Sequence, residues 1–128
     1  MIFLKKIDVL IIFEHISREL ETCLYLKFEL QKRGLKCELA PLHFNRYLTN
    51  IKFKPKLVIL PFLNSNADFT LRHLREVHGE EVIALNLHHE QLYNDSTKKF
   101  MLPKDEYSRD AYHLAWTKNF ATDLEESG

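Results

Sequence analysis

Residues that could carry out proton transfer follow the first apolar run of the chain. Glu14, His15, Arg18 and Glu19 come directly after the apolar residues 7–13. His15 is a candidate general base, because an imidazole can transfer protons and this residue should lie at the edge of the sheet where ligands bind. A cation near the start of a helix is disfavoured by the helix dipole, so we expect Arg18 to pair with a carboxylate or to bind an anionic ligand. Arg18 and Glu19 are therefore candidate substrate-binding residues.

A second group of polar residues, His88, His89 and Glu90, follows the apolar residues 82–87. Side chains of adjacent residues on an extended backbone point to opposite sides, so the two histidines would not share one metal ion. The sequence therefore predicts no metal site. Glu90 is a second candidate general base, and His88 and His89 are candidate substrate-binding residues. For each of these residues the alternative is a structural role, in which the side chain caps a loop by bonding to backbone amides.

Trp116 is the only tryptophan of the chain. One interpretation makes it an anchor of the hydrophobic core. In the other it is a surface aromatic that packs against a partner domain or against a sugar ring. We include Trp116 among the candidate substrate-binding residues.

The elements that must position these residues follow from hydrophobic periodicity. Apolar or alternating runs predict five strands, at residues 7–13, 35–40, 57–60, 82–87 and 113–117. Amphipathic segments between and after them predict helices at residues 17–33, 68–78 and 120–126. Alternation of this kind predicts a Rossmann-like α/β domain of three α/β/α layers, with a mainly parallel sheet of four to five strands.

The first predicted helix carries its own start and stop signals. Ser17 is a suitable N-cap, and Gly34 can take the left-handed conformation that ends a helix. Residues spaced for one helical face predict the buried stripe, which consists of Ile16, Leu20, Cys23, Leu24 and Leu30.

Ligands of an open parallel sheet bind outside the carboxyl ends of the strands, where both groups of polar residues are predicted to lie. The common phosphate-binding motifs are missing there. The turn after the first strand reads Glu14-His15-Ile16-Ser17, without the glycines of a dinucleotide site. The chain has no P-loop and no GxSxG nucleophile elbow, and the third strand ends without the aspartate of a receiver domain. We therefore expect no cofactor.

Length and charge limit the classes of function. The chain has 128 residues and a formal net charge of zero, which fits one domain without long-range attraction to nucleic acid or to anionic membranes. Neither nucleic acid nor a membrane is expected as a partner. The apolar run 9–13 is far shorter than the roughly 20 residues of a membrane-spanning helix. The two cysteines lack a CxxC spacing and follow no secretory segment, which favours reduced thiols and a cytoplasmic location.

Six short segments of the chain form a recognisable pattern. They are Ser17-Arg18-Glu19-Leu20 after the first strand, Leu30-Gln31-Lys32-Arg33-Gly34 at the end of a leucine-rich helix, Lys54-Pro55-Lys56 before the third strand, Glu90-Gln91 after the fourth, Ala115-Trp116, and Leu124-Glu125-Glu126-Ser127-Gly128. With these segments the chain resembles the start of bacterial surface-carbohydrate and capsular-polysaccharide biosynthesis proteins. His15 before the Arg-Glu pair, and His88-His89 before Glu90, depart from that pattern.

This resemblance implies a GT-B glycosyltransferase architecture, in which two Rossmann-like domains face each other across a cleft and no metal is required. Residues 1–128 would form the N-terminal, acceptor-side domain. The nucleotide-sugar donor would be held by a C-terminal domain, so the fragment alone would not transfer sugar. Two alternatives stay open, a non-catalytic interaction or regulatory module and a nucleotide-binding domain without a glycine-rich loop.

Overall fold

The computed structural model describes residues 4–42, 52–62, 72, 75–76, 79–88, 94–103 and 106–127. Its strands are β1 (Lys5–Phe13), β2 (Cys37–Pro41), β3 (Phe53–Leu60), β4 (Ile83–Asn86) and β5 (Tyr112–His113). A π-helical turn (Ile16–Leu20) leads directly into α1 (Glu21–Lys32), and three short helices follow later, α2 (Lys98–Met101), α3 (Glu106–Asp110) and α4 (Lys118–Glu126). Within the predicted helix 68–78, residues 72, 75 and 76 are helical.

The five strands form one sheet in which every neighbouring pair is parallel, in the order β2-β1-β3-β4-β5. The predicted α/β fold with a parallel sheet is thereby confirmed. The strand order is that of flavodoxin-like doubly wound sheets, and it differs from the 3-2-1-4-5-6 order of the dinucleotide-binding fold. The chain leaves β1 toward β2 on one side and returns to β3 on the other. This reversal creates a topological switch point between β1 and β3, where such sheets bind their ligands.

The core lies on both faces of the sheet, because β1 is buried on both. Leu10 and Ile12 pack on one face with residues of β3 and β4. Val9 and Ile11 pack on the other face beneath Cys23 of α1, and we call this the α1 face. A central parallel strand covered on both sides needs a continuous apolar run rather than an alternating one, and residues 9–13 meet this requirement.

The start of the first helix differs from the sequence-based prediction. Ser17 is not an N-cap, because it lies inside the π-helical turn, which begins after His15. Ile16 and Leu24, both predicted to be buried, are exposed. Cys23 lies on the side of α1 that faces the sheet, and Leu24, about 100° further around the helix, lies outside the buried stripe. The wider π turn changes the angular position of Ile16 relative to the stripe of α1.

The end of α1 follows the prediction. Gly34 has a φ of 84°, in the left-handed region. Its N–H donates to the carbonyl of Gln31 at 3.0 Å, and the N–H of Leu35 donates to the carbonyl of Leu30 at 3.2 Å. This pair of bonds is a Schellman motif, which satisfies the last carbonyls of the helix and turns the chain toward β2.

Candidate functional site

The carboxyl edge of the sheet brings together polar residues that are distant in sequence. Glu14 and His15 follow β1, the buried Pro61 follows β3, and His88 follows β4. Because neighbouring strands lie about 4.8 Å apart, the ends of β1 and β4 are about 10 Å apart across the end of β3. The edge therefore carries two polar clusters on either side of the β3 terminus, at a separation that suits one or two sugar rings.

The first cluster is built around Glu19, whose side chain is only 2% exposed. Its Oε2 accepts the backbone N–H of Glu14 at 2.7 Å, and its Oε1 accepts from Nη2 of Arg18 at 3.2 Å. Nη2 of Arg18 also donates to Oε2 of Glu14 at 2.9 Å. Arg18 therefore has two carboxylate partners, Glu14 and Glu19, where the sequence predicts a carboxylate or an anionic ligand. With two carboxylates and one guanidinium, these three residues carry a formal charge of −1.

His15 is the accessible member of this part of the edge. Its side chain is half exposed, and its Nε2 lies 3.6 Å from Oε2 of Glu14. The Glu14 carboxylate can orient the ring at this distance. The exposed part of the His15 ring is accessible to a ligand at the edge.

The second cluster is centred on His88, which is 3% exposed and has a φ of 48°. Its backbone N–H donates to Oδ1 of Asn86 at 2.9 Å. Its Nε2 lies 2.7 Å from Nδ1 of His113, and its ring meets Phe120 of α4 edge-on, with the ring centroids 4.6 Å apart. Positive φ is uncommon outside glycine and costs energy, so these surrounding contacts hold His88 in place.

The hydrogen bonds of this cluster favour one tautomer of the histidine pair. Oδ1 of Asn86 accepts from His88, so the amide turns its Nδ2 toward Nδ1 of His113, at 3.4 Å. With the Asn86 amide as a donor, Nδ1 of His113 is the acceptor, and the proton between the two rings belongs to Nε2 of His88. His113 then carries its own proton on Nε2.

Burial keeps His88 neutral. It lowers the pKa of the imidazole from 6.5 to about 3, and the nearby ring of His113 lowers the pKa further as a smaller cause. A neutral His88 remains a hydrogen-bond donor to His113 over the whole physiological range of pH. The pair is therefore a fixed polar unit at the ends of β4 and β5.

Trp116 is not a core anchor, since 62% of its surface is exposed. Its indole N–H donates to the carbonyl of Leu87 at 2.8 Å, which fixes the ring across the end of β4. An exposed aromatic ring held by its polar end is suited to stacking on an apolar sugar face.

Of the predicted site residues, the structure places His15, Arg18 and Glu19 in the first cluster, and His88 in the second with Trp116 beside it. His89 and Glu90 lie outside the described residues. Sequence analysis missed Asn86 and His113. The signal for both was the position of the strand ends, since Asn86 and His113 are register partners at the last residues of β4 and β5.

No group of three or more potential metal ligands occurs among the residues that the structure describes. No helix within the same ranges combines the length and the apolar character that crossing a membrane requires.

Comparison of the chain with models of known protein families, with curated proteins and with solved structures found no match. Its strand order and the two polar clusters are therefore the basis for assigning a function.

Proposed function

We propose that this chain is the acceptor-binding domain of a GT-B-type glycosyltransferase that acts in bacterial surface-polysaccharide biosynthesis in the cytoplasm. The observation that carries the proposal is the pair of polar clusters on either side of the β3 end, next to the switch point of the sheet. The sequence resemblance is the reason for proposing this enzyme class, and the geometry of the two clusters supports the proposed position of the site.

A sugar acceptor suits this edge for three reasons. Polar groups line both sides of the binding position, so hydroxyls can be hydrogen-bonded along a span of about 10 Å. Trp116 offers an exposed aromatic ring at one end. No glycine-rich loop follows β1, so the usual cradle for a phosphate is missing at the switch point.

His15 is the base in this proposal. In sugar transfer the acceptor hydroxyl attacks the anomeric carbon, the bond to the nucleotide diphosphate breaks, and the hydroxyl proton must go to a base. His15 takes that proton, and Glu14 lies beside the ring and orients it. His113, whose ring the buried His88 holds in position, binds or orients the acceptor from the opposite side, and a separate C-terminal domain supplies the donor.

The test measures saccharide binding through the fluorescence of the single tryptophan. We expect mono- and disaccharides to change the emission of Trp116 at millimolar concentration, and the Trp116→Ala variant to lose binding by calorimetry. Phe28→Ala is the matched control, because Phe28 is an exposed aromatic about two turns into α1, further from the carboxyl edge where that helix begins. If no saccharide binds, or if both variants lose binding equally, the proposed site is wrong.

Nucleotide-sugars provide the second arm of the test. In the proposal UDP-, GDP- and CMP-sugars bind this chain weakly or not at all, because their site lies in the other domain. Micromolar binding of any of them would instead support the nucleotide-binding alternative.

The interaction-module alternative has one specific observation in its favour. Part of the α1 face carries large apolar side chains that are exposed, including Ile83, Tyr112 and Leu114. Such a surface is typical of protein contact rather than of catalysis.

A further inference from the structure

In the part of the chain that the structure describes, no helix packs on half of the α1 face of the sheet. Register partners in a parallel sheet share a face, so Ile83 lies beside Leu57, and Tyr112 lies beside Leu85. Leu57, Leu85 and Leu87 pack at the margin of the core cluster beneath α1, which identifies their face as the α1 face. We call this surface the open face; it is formed by Leu57, Ile83, Leu85, Leu87, Tyr112 and Leu114.

The open face is exposed although it is apolar. The exposed fractions are 48% for Ile83, 67% for Tyr112 and 51% for Leu114. The helix α1 packs on β1 and β2, at the other half of the sheet. The helix α4 follows β5, but it is held at the carboxyl edge by Phe120 against His88 and by Asp123, whose Oδ1 lies 3.0 Å from Nζ of Lys98. Neither helix covers Tyr112 or Leu114.

We infer that the open face binds the same face of a second copy of this chain, so that the protein forms a two-fold symmetric dimer. None of the side chains that form the face is charged. The chain as a whole has no net charge, so two copies do not repel each other. A flat apolar face can pack on itself, as two sheets do at a separation of about 10 Å.

The area agrees with what a dimer requires. Together with the partly exposed Leu57, Leu85 and Leu87, the open face exposes about 500 Å² of largely apolar surface, given the exposed fractions and the size of these side chains. A standard interface buries about 800 Å² per partner, of which about 60% is non-polar. The open face therefore supplies the apolar part of one such interface, and polar residues around it would supply the rim.

The position of α1 limits the geometry to one arrangement. The helix stands above β1 and β2, and it would collide with the helix of the partner if the two-fold axis ran across the strands. An axis parallel to the strands places the two α1 helices on opposite flanks of the paired sheets. In that arrangement β4 and β5 of each copy lie at the centre.

Sedimentation velocity between about 1 and 300 µM tests this inference, since an interface of this size predicts association in the micromolar range. We expect Ile83→Glu and Leu114→Glu each to weaken self-association by about 100-fold or more, because each would bury an unpaired charge. Phe28→Glu is the matched control. Phe28 is an exposed apolar residue on α1, and its replacement should leave the dimer intact.

Cysteine cross-linking keeps the inference testable if a glutamate variant fails to fold. Ile83→Cys should be cross-linked between two copies by a bismaleimide with a spacer of about 10 Å, which matches the separation of packed sheets, whereas Phe28→Cys should not. The two native cysteines are buried and contribute no background. A wild-type chain that stays monomeric across the concentration range would overturn the inference, and so would a dimer that survives both glutamate substitutions. Neither result depends on whether the chain binds saccharides.

Discussion

His88 combines three features that rarely occur together, namely a positive φ, nearly complete burial and an imidazole ring. Asn86 and His113 satisfy its backbone and its ring, so the strained conformation is held from both sides. Strain of this kind concentrates at functional sites, where the surrounding structure enforces it.

The buried imidazole predicts a loss of stability in mild acid. In the unfolded chain His88 takes up a proton near pH 6.5, but in the folded chain it does so only near pH 3. The unfolded state therefore binds more protons between these values, and stability falls as the pH decreases through that window. From pH 7 to pH 5 we expect His88 to contribute a loss of about 2 kcal/mol in the free energy of unfolding.

Urea unfolding at both pH values measures this effect, with His88→Asn as the control. Asparagine tolerates positive φ better than most residues, and it does not titrate. The variant should show a smaller loss of stability between pH 7 and pH 5 than the wild type. Equal losses in the two proteins would mean that other groups cause the acid sensitivity.

Glu19 was a candidate for substrate binding, and its contacts add a structural role. Its carboxylate holds the N–H of Glu14 and pairs with Arg18 while it is almost completely buried. Glu19→Ala should lower the free energy of unfolding by about 2–3 kcal/mol, because a charge-assisted bond is lost and buried groups are left unpaired. Glu21→Ala, at an exposed position in the same helix, should change it by less than about 0.5 kcal/mol. Similar effects of the two substitutions in denaturant titrations would contradict this account.

At the scale of elements, α1 controls the reactivity of the cysteines. Cys23 faces the sheet from α1, and burial together with the charge of Glu19 raises the pKa of its thiol to about 11. Burial is also the main reason why the pKa of the Cys37 thiol is raised. A thiol reacts as its thiolate, so both residues should resist labelling by an aromatic disulfide reagent at pH 8.

The measurement is a thiol titration in the folded and in the denatured protein. We expect almost no reaction within minutes in the folded state and two thiols per chain in denaturant. Rapid reaction of either thiol in buffer would show that α1 opens readily from the sheet.

The positions of the elements could be predicted to a large extent, whereas their ends could not. The strands β1, β3 and β4 were identified because parallel strands buried on both faces require continuous apolar runs. The fifth strand was predicted at residues 113–117, but β5 is Tyr112–His113. The predicted bounds put His113 at the start of the strand, so His113 was not recognised as a residue at its carboxyl end. A π-helical turn has no sequence signal comparable to a proline or a capping serine. The sequence therefore favours Ser17 as the N-cap, although this residue lies inside the turn.

At the scale of the molecule, stability should be divided unequally across the sheet. Ile11 of β1 is completely buried beneath α1, whereas Ile83 of β4 lies on the open face. Ile11→Ala should lower the free energy of unfolding by about 3–4 kcal/mol, because it removes buried methyl groups and leaves a cavity. Ile83→Ala should lower it by less than about 1 kcal/mol in dilute protein.

Thermal and urea unfolding of the two alanine variants make this comparison. If the two variants lose similar amounts of unfolding free energy, the open face is packed within the folded monomer. That result would also contradict the proposed dimer, which needs this face to be exposed.

The π-helical turn Ile16–Leu20 has a consequence for how this chain tolerates a change in length. A π turn holds one residue more than an α turn, so removing one residue converts it into a regular helical turn without disturbing α1 behind it. Deletion of Ser17, which is exposed, should therefore leave a folded protein with an unbroken helix. Because the π turn and the α turn that replaces it both complete about one turn of the helix, the deletion leaves the residues before it at nearly the same rotation about α1. His15 should therefore stay beside the switch point, whereas a deletion within the regular turns of α1 would rotate His15 by about 100° relative to the rest of the helix.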